Sequence, residues 1–175
     1  MNKNWVKLLC LSLLVSSGCK KDAPAGFTTF EVEDSQAFVV PAGQVLTVGP
    51  LAMSSAAPAA YAARGTDADH VQQVTPLGGS LALEGPAGQA FDALTGVKVS
   101  ASATPGGQDQ AGIGTAGGVA AGTTTVSLAP GSMPLDMFVR QPTYYLFVRL
   151  EPNQVLRQPT TLRVSLRYQV RARVK

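Results

Sequence analysis

The last stretch of the chain carries its clearest pattern: Leu162, Val164, Leu166, Tyr168, Val170, Ala172 and Val174 alternate with Arg163, Ser165, Arg167, Gln169, Arg171 and Arg173. A period of two marks a strand with one buried and one wet face. Residues 144–150 repeat it, with Tyr144, Leu146, Val148 and Leu150 on one side and Tyr145, Phe147 and Arg149 on the other. Pro142 and Pro152 bracket that run, as expected where a strand begins and ends. Shorter candidates are 27–33, 37–40, 45–48, 71–83 with a break at 76–79, 97–103 and 123–128. Short strands punctuated by Gly and Pro predict an all-β chain, an antiparallel β-sandwich of immunoglobulin-like or related Greek-key topology.

Helical signal is scarce. Residues 91–94 and 134–139 could each form a turn or two, and Pro134 suits a first helical position with Ser132 nearby as a cap. Residues 51–63 have helical composition, but Ser54, Ser55 and Pro58 interrupt it, so a loop with one helical turn is expected. Residues 105–122 are rich in Gly and Ala and nearly uncharged. Such a stretch has little side-chain area to bury and much backbone freedom to lose, which predicts a loop between strands.

The first residues follow a different logic. Lys3 and Lys7 precede an apolar run of Leu8, Leu9, Leu11, Leu13, Leu14 and Val15, too short to span a bilayer comfortably. Ser16-Ser17-Gly18-Cys19 ends it, and Lys20, Lys21 and Asp22 follow. This segment resembles the lipobox signal of bacterial lipoproteins, with Ser16 where Leu is usual. The Cys-Lys-Lys-Asp start is similar to that of Bacteroidota envelope lipoproteins. The resemblance implies cleavage before Cys19, acylation of that cysteine (palmitate among its chains) and, with Lys20 in place of Asp, transfer to the outer membrane. Ordinary secretion is the alternative; a cut near Ala23 or Ala25 would discard Cys19. The expected organisation is a signal peptide at 1–18, a lipidated cysteine and tether at 19–26, and one β-sandwich domain at 27–175.

Cysteine and charge then narrow the chemistry. The chain has 2 cysteines; Cys10 falls in the signal and Cys19 would carry lipid, which leaves the mature domain no disulfide and no thiol nucleophile. Removing Lys3 and Lys7 leaves 12 basic against 11 acidic side chains, close to neutral. With an envelope address, that balance argues against nucleic acid as a partner.

Several local patterns invite a chemical reading. Asp67, Asp69 and His70 could share a hard cation, although one histidine is fewer nitrogens than a catalytic zinc usually takes. The competing reading is a polar turn entering a strand at Val71. Gly112, Gly114 and Gly117 match the spacing of a dinucleotide fingerprint, but a β-branched run follows instead of a helix, so backbone amides would not meet a pyrophosphate. No Gly-x-Ser-x-Gly elbow marks a nucleophile, and nothing places Glu84 with Asp92, or Glu31 with Glu33, across a cleft. No cofactor is expected.

Arg163, Arg167, Arg171 and Arg173 share one face of the last strand and could form a donor row for an anionic glycan or the acidic surface of another envelope protein. Neutralisation across strands by Glu31 and Glu33 is the simpler use, and it predicts that the strand around Glu31 lies beside the one around Arg167. Tyr145 and Phe147 form an outward aromatic pair that could stack a sugar ring. The expected function is a lipid-anchored envelope protein acting by binding or structural interaction, not catalysis. The alternative is a surface carbohydrate-binding or adhesion module.

Overall fold

The structure is a computed structural model that describes residues 26–43, 46–92, 94–152 and 154–175. The expected signal peptide, Cys19, all of the expected tether except Gly26, and Val45 lie outside these residues.

Among the described residues the chain forms eight strands: β1 Phe27–Val40, β2 Thr47–Ser54, β3 Val71–Gly85, β4 Leu94–Ser102, β5 Ala111–Gly117, β6 Thr125–Pro130, β7 Thr143–Pro152 and β8 Thr160–Arg173. Two short helices accompany them, α1 Ala57–Ala62 and α2 Asp136–Val139, with a 3-10 turn at Ala68–His70. The all-β expectation holds in this coarse form. The strands lie in the order β1-β8-β3-β6-β5-β4-β7-β2, and every pairing is antiparallel. Together they make a nearly closed, barrel-like sheet.

Alternation explains the core. Inward residues of β8 and β7, including Val164, Tyr168, Leu146 and Val148, are buried, and they meet Val40 of β1 and Leu81 of β3. The outward residues of β8 are the polar set, as the sequence period requires. β1 runs beside β8 with Glu33 opposite Arg167, so the strand around Glu31 lies where it was expected. At Gly79 a side chain would run into the backbone carbonyl of Ser165, so the close approach of β3 to β8 depends on a missing Cβ there.

Several local expectations need correction. Residues 27–33 and 37–40 are not two strands: β1 is continuous, because Asp34 points into the barrel and finds partners there. Residues 51–54 continue β2, and α1 follows with Pro58 in its first turn, where a missing N–H costs nothing. The break at 76–79 is a register shift within β3 rather than an interruption. The helical turn expected at 91–94 is not seen among its described residues; Phe91 is a buried turn residue, and Leu94 opens β4. The stretch 105–122 is not all loop, since β5 lies within it and its low side-chain bulk is compensated by pairing with β4. α2 begins at Asp136 with Leu135 as its N-cap and no side-chain cap bond, so neither Ser132 nor Pro134 has its expected place.

The barrel has two distinct ends. Phe27 pairs with Arg173 and Ser54 with Thr143 at the proximal end, where the chain enters β1. Val40 pairs with Thr160 and Leu94 with Pro152 at the distal end.

Gly79→Ala is expected to lower stability by about 1–3 kcal/mol, the usual cost of overpacking. Gly117→Ala, whose added carbon meets nothing within 4 Å, should change it little. Denaturant midpoints of the two variants check the contrast.

Candidate functional site

Two places concentrate chemistry, a polar knot inside the proximal half and a pocket at the distal mouth. The knot is centred on Asp34, only 2% exposed. Period two puts Asp34 on the same face of β1 as Phe30, Val32 and Phe38, so its carboxyl enters the core. Tyr168 donates its hydroxyl to Oδ2 at 2.7 Å and Tyr144 does so at 3.0 Å. The amide of Ala56, just past β2, donates to Oδ1 at 2.6 Å. Ser55 Oγ lies 3.2 Å from the Tyr168 hydroxyl and accepts the amide of Ala57 at 3.1 Å. One carboxyl therefore ties β1 to β7, β8 and the end of β2. Burial first, then the nearby Asp34 charge, pushes the Tyr144 and Tyr168 phenols well above their ordinary range.

Tyr61 of α1 lies next to this knot and donates to the Val139 carbonyl at 3.1 Å. Burial pushes its phenol up to about 12, with the Arg140 charge opposing and the charges of Asp34 and Asp136 adding. These are phenols held neutral inside a core, an arrangement that suits structure better than proton transfer near neutral pH.

The distal pocket has a volume of about 340 Å³, a size found among small-molecule sites. Its floor is aliphatic, from Val40, Leu83, Leu94, Leu150 and Leu162 at the ends of five strands. Gln89 and Asp92 from the β3–β4 connection, Gln154, Arg157 and Gln158 from the β7–β8 connection, and Thr160 at the start of β8 rim it. The Thr160 hydroxyl lies 3.2 Å from the Gln158 carbonyl and 3.4 Å from Gln89 Oε1, either of which can accept its proton, and Gln154 donates to the Asp92 carbonyl at 3.2 Å. Asp92 Oδ1 accepts the Gly122 amide at 2.7 Å, which ties the rim to the 118–124 connection. This pocket was not legible in the sequence, because its residues come from segments far apart along the chain.

The residues singled out from the sequence have separate environments. Asp67 caps the 3-10 turn: its Oδ1 accepts the amides of Asp69 and His70 and lies 2.6 Å from His70 Nδ1, while Oδ2 pairs with Lys175. Lys175 first, and His70 next, hold the Asp67 carboxyl well below the usual range. Asp69 brings only its amide to this cluster. Among the described residues, no three His, Cys, Asp or Glu side chains converge as a metal site needs.

On β8, Arg163 pairs with Glu84 of β3 at 2.5 Å, and this partner raises its pKa. Arg171 and Arg173 lie over the Phe27 ring at 4.6 and 5.7 Å from its centre, and Arg167 is exposed. Among the described residues Glu31 and Glu33 form no ion pair with the row; Glu84 neutralises Arg163 alone, while Arg171 and Arg173 stack on the Phe27 ring with their charge intact. Tyr145 and Phe147 are outward and half-buried on β7. Gly107 lies against the Phe147 ring, with a φ of +64°. Its loop is stapled by Asp109, which accepts from Ser102 Oγ and from the Ala103 amide at 2.9 Å. The Gly112–Gly117 pattern is part of β5.

The chain matches no protein-family model and no curated protein. Among the described residues no helix is long and apolar enough to cross a membrane.

Tyr144→Phe is expected to cost about 1–2 kcal/mol, and Asp34→Ala about 3 kcal/mol or more, because it strands the Tyr144 hydroxyl and the Ala56 amide and leaves Tyr168 only Ser55. Urea unfolding at neutral pH measures both. The Tyr61 phenol titrates near its ordinary value of 10 when unfolded and near 12 when folded. Its contribution is complete below pH 10 and is lost as pH rises toward 12. Unfolding midpoints should therefore fall across that window, and Tyr61→Phe should flatten part of the fall.

Proposed function

We propose that the protein is a lipid-anchored domain of the outer envelope that acts by binding, not catalysis, with the distal pocket as its ligand site. The polarity of the barrel carries this reading. The chain enters at Phe27 on the proximal end, and the pocket opens at the opposite one. A tether of residues 19–26 reaches about 28 Å when fully extended. β1 has 14 residues and spans roughly 45 Å. A domain anchored through Cys19 thus presents its pocket away from the membrane.

The finer architecture belongs to the same proposal. β1-β8-β3-β6 and β5-β4-β7-β2 form two four-stranded halves, with β6 passing from β3 to β5. Halves packed face to face make a Greek-key sandwich of jelly-roll type. The first strand lies beside the last rather than beside the second, unlike the immunoglobulin order.

A glycan site at Tyr145 and Phe147 is the weaker reading, since the 103–110 loop covers part of the Phe147 ring. The exposed arginines Arg167, Arg171 and Arg173 remain the face on which another envelope protein or an anionic glycan would dock.

Two measurements test the proposal. Metabolic acyl labelling should mark the protein and be lost in Cys19→Ala; labelling that persists, or is absent from the parent, removes the anchor. Native mass spectra of protein purified from cells should show a small-molecule adduct that Val155→Trp, at the exposed pocket rim, displaces. A bare mass throughout would count against the pocket.

A further inference from the structure

We infer that the distal pocket takes an amphiphile with an aliphatic tail and a carboxylate head; this rests on the binding reading above. The floor is branched aliphatic carbon, and its one aromatic residue, Phe91, is 3% exposed. A buried ring offers no face on which a sugar could stack. An alkyl chain, by contrast, needs only a non-directional apolar surface.

The rim supplies donors. Gln89 lines this rim, and among the described residues its amide nitrogen has no hydrogen-bond partner, so it is a donor the rim can offer. Arg157 lines the same rim, is exposed, and has no carboxylate within ion-pair distance among the described residues. The rim's own acid, Asp92, is bonded to the Gly122 amide. A guanidinium fork above an aliphatic floor matches a carboxylate in charge and in planar geometry, which a neutral head group does not. Exposed Val155 extends the apolar surface out to the rim, where a tail would continue to a head in water.

The probes are decanoate and decanol, titrated by calorimetry below their aggregation concentrations. The protein is the full chain with Cys19→Ala, so that no attached acyl chain competes. Decanoate should bind saturably and about tenfold more tightly than decanol. Arg157→Gln should bring decanoate down to the level of decanol and leave decanol unchanged. Leu83→Trp, filling the floor, should abolish both, and Val155→Trp at the exposed rim repeats the test without touching the core. Equal affinity for the two probes, or an Arg157→Gln variant that binds like the parent, overturns the carboxylate head while leaving a pocket ligand standing. A native-mass adduct with no binding of either probe overturns the ligand class alone. No adduct and no binding together overturn the pocket itself.

Discussion

The carboxyl of Asp34 is the interaction on which the nearly closed shape depends. β1 and β2 are the two ends of the strand order, and neither supplies the other with a ladder of backbone hydrogen bonds. Apolar contact alone would hold such a seam without fixing its register. Asp34 adds direction: it collects two phenols from β7 and β8 and a backbone amide at the end of β2. A buried acceptor with three donors satisfies itself and them together, and removing the carboxyl leaves buried donors without their acceptor. The seam therefore closes in one arrangement, and the rest of the barrel packs against it.

Smaller versions of the same device shape the connections. Asp67 caps the turn before β3 and also draws in the C-terminal Lys175, so the proximal end is gathered by one exposed carboxylate. Asp109 staples the 103–110 loop onto the end of β4, and Asp92 joins two connections at the distal rim. Acids that look like candidate ligands in the sequence act here as acceptors for backbone amides. That use agrees with the general behaviour of Asp in turns.

The outer face of β8 shows how a charged row is accommodated. Arg163 is neutralised by Glu84 on the neighbouring β3, whereas Arg171 and Arg173 spread over the exposed ring of Phe27. Ring stacking leaves the positive charge in place and accessible. The proximal end thus keeps free cationic character beside the point where the chain enters, and the distal end keeps an apolar pocket.

Period-two alternation alone determined that the chain is all-β, and it assigned the buried and wet faces of β7 and β8 correctly. It also contained Asp34, since Phe30, Val32, Phe38 and Val40 share its phase. A carboxyl in an apolar series reads locally as a break, because nothing nearby in sequence can satisfy it. Its partners Tyr144 and Tyr168 lie more than a hundred positions away. β5 was hidden for a related reason: Gly and Ala carry no strand preference, and it is pairing with β4 and β6 that makes residues 111–117 extended. The pocket depends on the same long-range assembly, with a floor drawn from five strand ends and a rim from two connections. Local composition and period set which residues face inward; closure of the sheet, through contacts between distant segments, decided which of them meet.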